Sequence, residues 1–363
     1  MIMEKSLMGE HEIDYVEIYS PMVKPLAYWH VHALGFSKAA VLAFDGARGN
    51  SISYLLVSGK IRLVLTSTFS NRTVEGNCEI QNFIGANYCG VRRIALAVDD
   101  VKKAFEKAIG NGGIPTKLPA KIEDEDGYIE EAAIRLYDHN EILFINRTHY
   151  RGAFRPGYRA EAGNDPDGCL TGIDHIASEV RINESEYWTG YLTRVIDTQL
   201  VQNIGRSNEN RTGMVLNINQ SRSKGLTLVI AEPDTYAGYS KVQQNIDNFG
   251  PGIHHLAFST NNLPESVALL SKKGIEFIKF PAAYYKLLRE NDEFKGFDID
   301  QLEKLGILID KEGDSYLLQK FIKPISDRPF FLYELVQRVN GYNGFALKNI
   351  NVLKKAEEME IIK

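Results

Sequence analysis

The strongest regularity in the chain is a nine-residue run that alternates apolar and other residues and recurs without gaps: Gly90-Val-Arg-Arg-Ile-Ala-Leu-Ala-Val98, Gly172-Ile-Asp-His-Ile-Ala-Ser-Glu-Val180 and Gly252-Ile-His-His-Leu-Ala-Phe-Ser-Thr260. A weaker copy is Ile13-Asp-Tyr-Val-Glu-Ile18. Period-2 alternation predicts a strand with one face on a core. Behind each run the apolar spacing lengthens to that of a helix, over 25–35, 101–109, 184–192 and 263–273. The second is clearest: Val101, Ala104, Phe105 and Ala108 share a face behind Asp99-Asp100. Strand-like pairs follow at 53–57 with 61–66, 133–136 with 141–146, 213–217 with 226–230, and 316–321 with 330–337. The unit is one strand, one helix and about three strands, repeated four times.

The pattern predicts an α+β fold of four βαβββ modules. The stretch 150–167 is rich in Gly, Pro, Arg and Asp and has no periodicity. It places a boundary between domains 1–155 and 156–363, two units in each. The fourth unit carries an insertion, 280–313, with helical stretches at 282–289 and 298–305 that would fold as a lid. A helix is expected over 346–361, with Leu347, Ile350 and Leu353 on one side.

Composition removes several classes of function. Hydrophobic residues at 44% and charged residues at 25% suit a globular protein. A net charge of −5 does not suggest a nucleic-acid partner. No apolar run is long enough for a membrane span, and Met1 to Ile13 lacks the apolar segment of a secretory signal. Cys78, Cys89 and Cys169 have no metal-type spacing and read as reduced thiols of a cytoplasmic protein. Any metal site must then use His and carboxylate ligands, which suit Fe(II), Mn(II) or Zn(II). No P-loop, dinucleotide fingerprint or Ser-His-Asp arrangement is visible, and Gly110-Asn-Gly-Gly113 is a turn after a helix.

The four copies differ where chemistry would sit. At the fourth position of the strand run stand Tyr15, Arg93, His175 and His255. The last strand of the second unit, from Leu143 to Arg147, matches Glu334 to Arg338 in the fourth, so Glu334 faces Leu143 in that comparison. All three candidates belong to one half and are absent from the other. Glu334 follows Phe330-Phe-Leu-Tyr333, and even a neutral polar group buried unpaired costs roughly 2–7 kcal/mol. A metal ion is the simplest partner; an ion pair with Arg338 or Arg328 is the alternative. Two histidines and one carboxylate with open positions opposite are the ligand set of non-haem Fe(II) oxygenases. His254, next to His255, is expected on the opposite face or a distorted edge. His30, His32, His139 and His149 fall outside the equivalent positions and are expected at the surface.

Over nearly its whole length the chain resembles the family of 4-hydroxyphenylpyruvate dioxygenase and hydroxymandelate synthase, of the vicinal oxygen chelate superfamily. The matching segments are Gly59 to Ser67, Val98 to Phe105, Asp174-His175, Gly252-Ile-His-His-Leu-Ala257, Pro281 to Tyr285, Leu305 to Asp310, Leu317-Leu-Gln-Lys-Phe321 and Asp327-Arg-Pro-Phe-Phe-Leu-Tyr-Glu-Leu-Val-Gln-Arg338. The resemblance implies two domains with open-barrel mixed sheets, a C-terminal helix over the pocket, and a homo-oligomer, dimer or tetramer. It implies iron ligands at His175, His255 and Glu334. It also implies that a 2-oxo acid chelates Fe(II), is oxidatively decarboxylated with O2, and is itself hydroxylated. Of the family's substrate-facing residues only Gln319 and Phe321 remain. Gly213, Ala231, His254 and about Lys241 occupy the positions of others. The altered pocket implies a 2-oxo acid other than, or in addition to, 4-hydroxyphenylpyruvate. Ile350 in the C-terminal helix resembles hydroxymandelate synthase, where oxygen enters the side chain instead of the ring. The competing readings are a non-catalytic binding protein on the same fold and another metal chemistry such as extradiol cleavage.

Overall fold

Each of the four units folds as one strand, one helix and three strands. The computed structural model describes residues 11–43, 51–68, 78–163, 168–205, 213–234 and 240–361. The first unit is β1 (Glu12–Tyr19), α1 (Val23–His32), β2 (Ser37–Leu42), β3 (Ser51–Ser58) and β4 (Ile61–Thr68), followed by α2 (Cys78–Asn87). The second is β5 (Gly90–Ala97), α3 (Val101–Gly110), β6 (Pro115–Asp124), β7 (Gly127–Leu136) and β8 (Asn140–Asn146), followed by β9 (Arg159–Ala160). The third is β10 (Leu170–Glu179), α4 (Ser185–Ile196), β11 (Gln199–Ile204), β12 (Met214–Gln220) and β13 (Thr227–Pro233), followed by α5 (Lys241–Phe249). The fourth is β14 (Gly252–Thr260), α6 (Leu263–Lys272), the inserted α7 (Ala282–Glu290) and α8 (Ile299–Leu305), then β15 (Leu308–Glu312), β16 (Ser315–Phe321) and β17 (Leu332–Val339), followed by α9 (Leu347–Ile361).

Local chemistry explains the helix starts. Asp100, Asn262 and Asp298 each accept a backbone N–H in the first turn of α3, α6 and α8. The helices α2 and α5 were not legible. Each is nine or ten residues long, and α5 buries only Val242 and Asn245 behind its Ser240 cap, too little for a periodic signal. The last four residues of the expected boundary stretch, 164–167, lie outside the described residues, as does the start of the chain to residue 10.

The strands form two curled mixed sheets, ordered β6-β7-β8-β5-β1-β4-β3-β2-β9 and β11-β12-β13-β10-β14-β17-β16-β15. Each is centred on an antiparallel pair, β1 with β5 and β10 with β14, flanked by parallel neighbours. Both central pairs carry register shifts at matching places. Asp14 and Asp174 are the extra residues on one strand, and Arg92 and His254 on the other. One apolar cluster joins the halves, with Val16, Leu63 and Phe36 from the first and Leu256, Phe258 and Tyr333 from the second.

His30 corrects a sequence expectation. His32, His139 and His149 are exposed, but His30 on α1 is fully buried at this junction. Its Nδ1 lies 2.7 Å from the Leu26 carbonyl, so that nitrogen donates, and Nε2, 2.7 Å from Tyr333 Oη, accepts. Its ring packs edge-on against Phe36 and Tyr333. A helix-borne His has no strand copy to be compared with, and its partner is 303 residues away. Burial lowers its pKa from 6.5 to about 4. The folded chain thus favours neutral His30, and its contribution to stability is complete above pH 6.5 and is lost as pH falls toward 4. His30→Ala is expected to cost about 2–4 kcal/mol in denaturant titrations at pH 7.5. His30→Phe should flatten the loss of thermal stability between pH 6.5 and 4; an unchanged slope would exclude His30 as its source.

Candidate metal centre and substrate cavity

Strand register alone brings the three candidate ligands to one face. His175 is opposite Ala257, Ala257 is opposite Glu334, and His255 lies two residues before Ala257 on the same strand. Paired residues share a face and so do residues i and i+2. His175 Nε2 and His255 Nε2 each lie 3.2 Å from Glu334 Oε2. The three ligand atoms fall within 4.8 Å of one another.

The environment of Glu334 favours a cation at that point. It is 1% exposed. Oε1 accepts a hydrogen bond from Gln319 Nε2 at 2.7 Å, while Oε2 has no hydrogen-bond partner among the described residues. Neither arginine considered from sequence hydrogen-bonds it. Arg338 grips Asp174 with two bonds of 2.7 and 2.8 Å, and Arg328 donates to the backbone carbonyls of Ala86 and Phe249. Asp174 Oδ1 in turn lies 2.8 Å from His175 Nδ1, which fixes the ring with Nε2 turned toward Glu334. Burial raises the Glu334 pKa, but His175 and His255 more than offset it and hold the group at about 2. Burial lowers that of His175, and Glu334 and Asp174 reverse the effect, raising it to about 9. A carboxylate with its free oxygen set between two imidazole nitrogens is a donor set that fits Fe(II).

Comparison with known proteins agrees. No protein-family profile matches the chain. A 4-hydroxyphenylpyruvate dioxygenase of Coccidioides posadasii (strain C735) is 30% identical over 96% of this chain and 92% of its own length. One from Dictyostelium discoideum is 27% identical over 96% of this chain and 97% of its own. The chain belongs to the 4-hydroxyphenylpyruvate dioxygenase family. Its fold is also that of a triple mutant of 4-hydroxymandelate synthase from Streptomyces coelicolor, with TM-score 0.82 and 23% identity over 98% of this chain and all of that one. Membership in the dioxygenase family makes the chain an iron-dependent dioxygenase.

Beside the triad, a cavity of about 280 Å³ opens inside the second sheet, covered by α9. A larger cleft of about 510 Å³ at α1 holds no such ligand set, so size does not choose the site. Gln319, Phe321, Ala231, His254 and Ile350 all line the 280 Å³ cavity. Gly213 does not; its φ of +74° is the left-handed region that favours glycine, and Met214 lines the wall in its place. Lys241 opens α5 at the surface, outside the cavity. His254 reaches the cavity because it is the extra residue of a β-bulge: Ala177 pairs with His255 and Ser178 with Ile253. The bulge breaks the period of two and turns adjacent histidines into one space. Their Nδ1 atoms are 2.9 Å apart.

Sequence reasoning missed Glu179 and Asn349. Glu179 was recoverable, since 175, 177 and 179 share a strand face. Its Oε1 accepts from Asn245 Nδ2 at 3.1 Å. Burial raises its pKa to about 8, against smaller opposing effects of Asn245 and Lys241. Asn349 is visible only in three dimensions, where its Nδ2 lies 3.4 Å from Gln319 Oε1. Arg338→Met, which leaves Asp174 without its clamp, is expected to weaken Fe(II) affinity roughly 10–100-fold in chelator competition. Unchanged affinity would show that the clamp does not orient His175.

Proposed function

We propose that His175, His255 and Glu334 hold the iron of an enzyme that oxidatively decarboxylates and hydroxylates a single 2-oxo acid with O2. The observation that carries the reading is the unpartnered Glu334 Oε2, 3.2 Å from both imidazole Nε2 atoms. Bound Fe(II) would supply the open positions where a 2-oxo acid and O2 meet, and with them the redox chemistry. The chain's own residues do the rest. Gln319 engages one oxygen of Glu334 and leaves the other for the metal. Asp174 and Arg338 orient His175. Leu216, Val229 and Ala231 form an apolar wall that excludes water and holds the body of the substrate. Phe345 covers His175 edge-on at 5.7 Å between ring centres.

In this reading residues 156–363 are the catalytic domain. Residues 1–155 are a scaffold, since Tyr15, Arg93 and Leu143 occupy the corresponding register positions. The assembly is a homo-oligomer, dimer or tetramer, for which exposed Met22 and Tyr88 on one cleft offer apolar surface. The compartment is the cytoplasm, in keeping with free Cys89 and Cys169. Among the described residues no helix is long and apolar enough to cross a membrane.

The substrate class includes 4-hydroxyphenylpyruvate and other aryl or alkyl 2-oxo acids. A second reading concerns the product: Ile350 on the cavity wall favours side-chain hydroxylation of an arylpyruvate. O2 uptake and CO2 release across aromatic and aliphatic 2-oxo acids with Fe(II) should reveal turnover; none with any acid would refute the function. His175→Ala should lose bound iron by elemental analysis and lower turnover roughly a hundredfold or more. Ile350→Phe should shift the product of an arylpyruvate from side-chain to ring hydroxylation. An identical product ratio would remove Ile350 from the choice.

A further inference from the structure

The cavity wall has one feature that neither metal binding nor apolar packing uses. Glu179 ends β10, lines the cavity and is 6% exposed. Ala177, Val229, Ala231, Leu216 and Val242 line the same cavity. Its nearest neighbours in register are Ala231 and Gly252, which offer no polar side chain. Asn245 satisfies Oε1, but Oε2 is buried without a hydrogen-bond partner among the described residues. His254 Nε2 stays 3.9 Å from Oε1. A carboxyl group in such a setting costs stability unless something completes it. Gln319, by contrast, is engaged by Glu334 and Asn349, so it offers less to a substrate.

We infer that Glu179 is a specificity-determining residue that binds a hydroxyl group at the far end of an aryl 2-oxo acid whose other end lies at His175, His255 and Glu334. The inference rests on the 2-oxo acid reading of the site. Glu179 follows His175 by four residues on one strand face, roughly 13 Å at about 3.3 Å per residue. One aromatic ring between a chelating end and a hydroxyl fills that span once the reach of the side chains is subtracted. The choice of a hydroxyl follows from the free oxygen. An ionised Glu179 needs a donor at Oε2, and a protonated one needs an acceptor there. A hydroxyl, which both donates and accepts, completes either form. Leu216, Val229, Ala231 and Val242 make much of the wall apolar, so a ring lacking the hydroxyl would leave the carboxyl unsatisfied on binding.

The test uses the full chain loaded with Fe(II) under anaerobic conditions. Calorimetric titration compares 4-hydroxyphenylpyruvate, phenylpyruvate and 4-methyl-2-oxopentanoate. The hydroxylated acid is expected to bind roughly tenfold or more tighter than phenylpyruvate. Glu179→Leu should bring the two aryl acids within about twofold of each other, and Glu179→Gln, whose amide both donates and accepts, should keep most of the preference. In steady state with O2 the loss should fall on KM and not on kcat, since Glu179 is remote from the reacting end. Iron content and circular dichroism report whether each variant keeps its fold. Equal affinities in the unaltered protein, or a preference that survives Glu179→Leu, overturns the role of Glu179. Absence of binding or turnover with all three acids overturns instead the reading of the site as a 2-oxo acid centre.

Discussion

The burial of the Glu334 carboxylate on β17, beside the central pair of the second sheet, is the constraint on which the rest of this structure depends. At 1% exposure and with one oxygen lacking a hydrogen-bond partner among the described residues, it sets a need that neither Arg338 nor Arg328 meets. Arg338 is close in sequence but is spent on Asp174. The negative charge is therefore left for the two imidazoles and for a cation between them. Gln319, Asn349 and Tyr284 extend the arrangement outward, since Asn349 meets both Gln319 and the Tyr284 hydroxyl. That chain ties the floor of the cavity to α9 above it and to the inserted α7 beside it.

The two halves show what the fold requires and what the chemistry adds. Both keep a bulged aspartate gripped by an arginine in or directly after the unit's last strand: Arg147 to Asp14 at 2.7 Å, and Arg338 to Asp174 at 2.7 Å. Both let that arginine hold the carbonyls of the segment that crosses the sheet, at Phe154 in one and Gly344 in the other. The device thus belongs to the architecture. In the first half, Phe154 packs edge-on to Tyr15, Tyr158 packs against the same cluster, and Arg155 pairs with Glu131. Arg93 pairs with Glu17 where the second half has His255 and Ala177. Among the described residues there, Arg93, Arg147 and Arg155 each pair with a carboxylate, and Tyr15, Phe154 and Tyr158 pack together. The second half replaces these pairs with small apolar residues and a triad, which leaves room for a ligand.

Much of this was legible in the chain. The fourfold repeat, the strand-helix-strand order and the coincidence of His175, His255 and Glu334 all follow from spacing, because strand alternation and register repeat locally. The helices α2 and α5 were not, since short amphipathic segments with few buried residues leave little periodicity. For His254, strand alternation alone points to the opposite face or a distorted edge, and the match to a substrate-facing position of the family points to the pocket; the bulge puts it in the cavity. Glu179 shares a face with His175, but strand alternation alone does not tell a carboxylate on a cavity wall from one at a solvated strand end.

By itself the sequence determined the repeats, the polarity of each strand face and the identity of the candidate ligands. These are local properties of period two and of residue chemistry. The tertiary structure alone decided that His30 is buried against Tyr333, that Arg338 serves Asp174 and not Glu334, and that His254 enters the cavity. It also decided that one oxygen of Glu179 is left open. Each of these depends on where distant segments meet or where one extra residue shifts a register, and no local pattern encodes either.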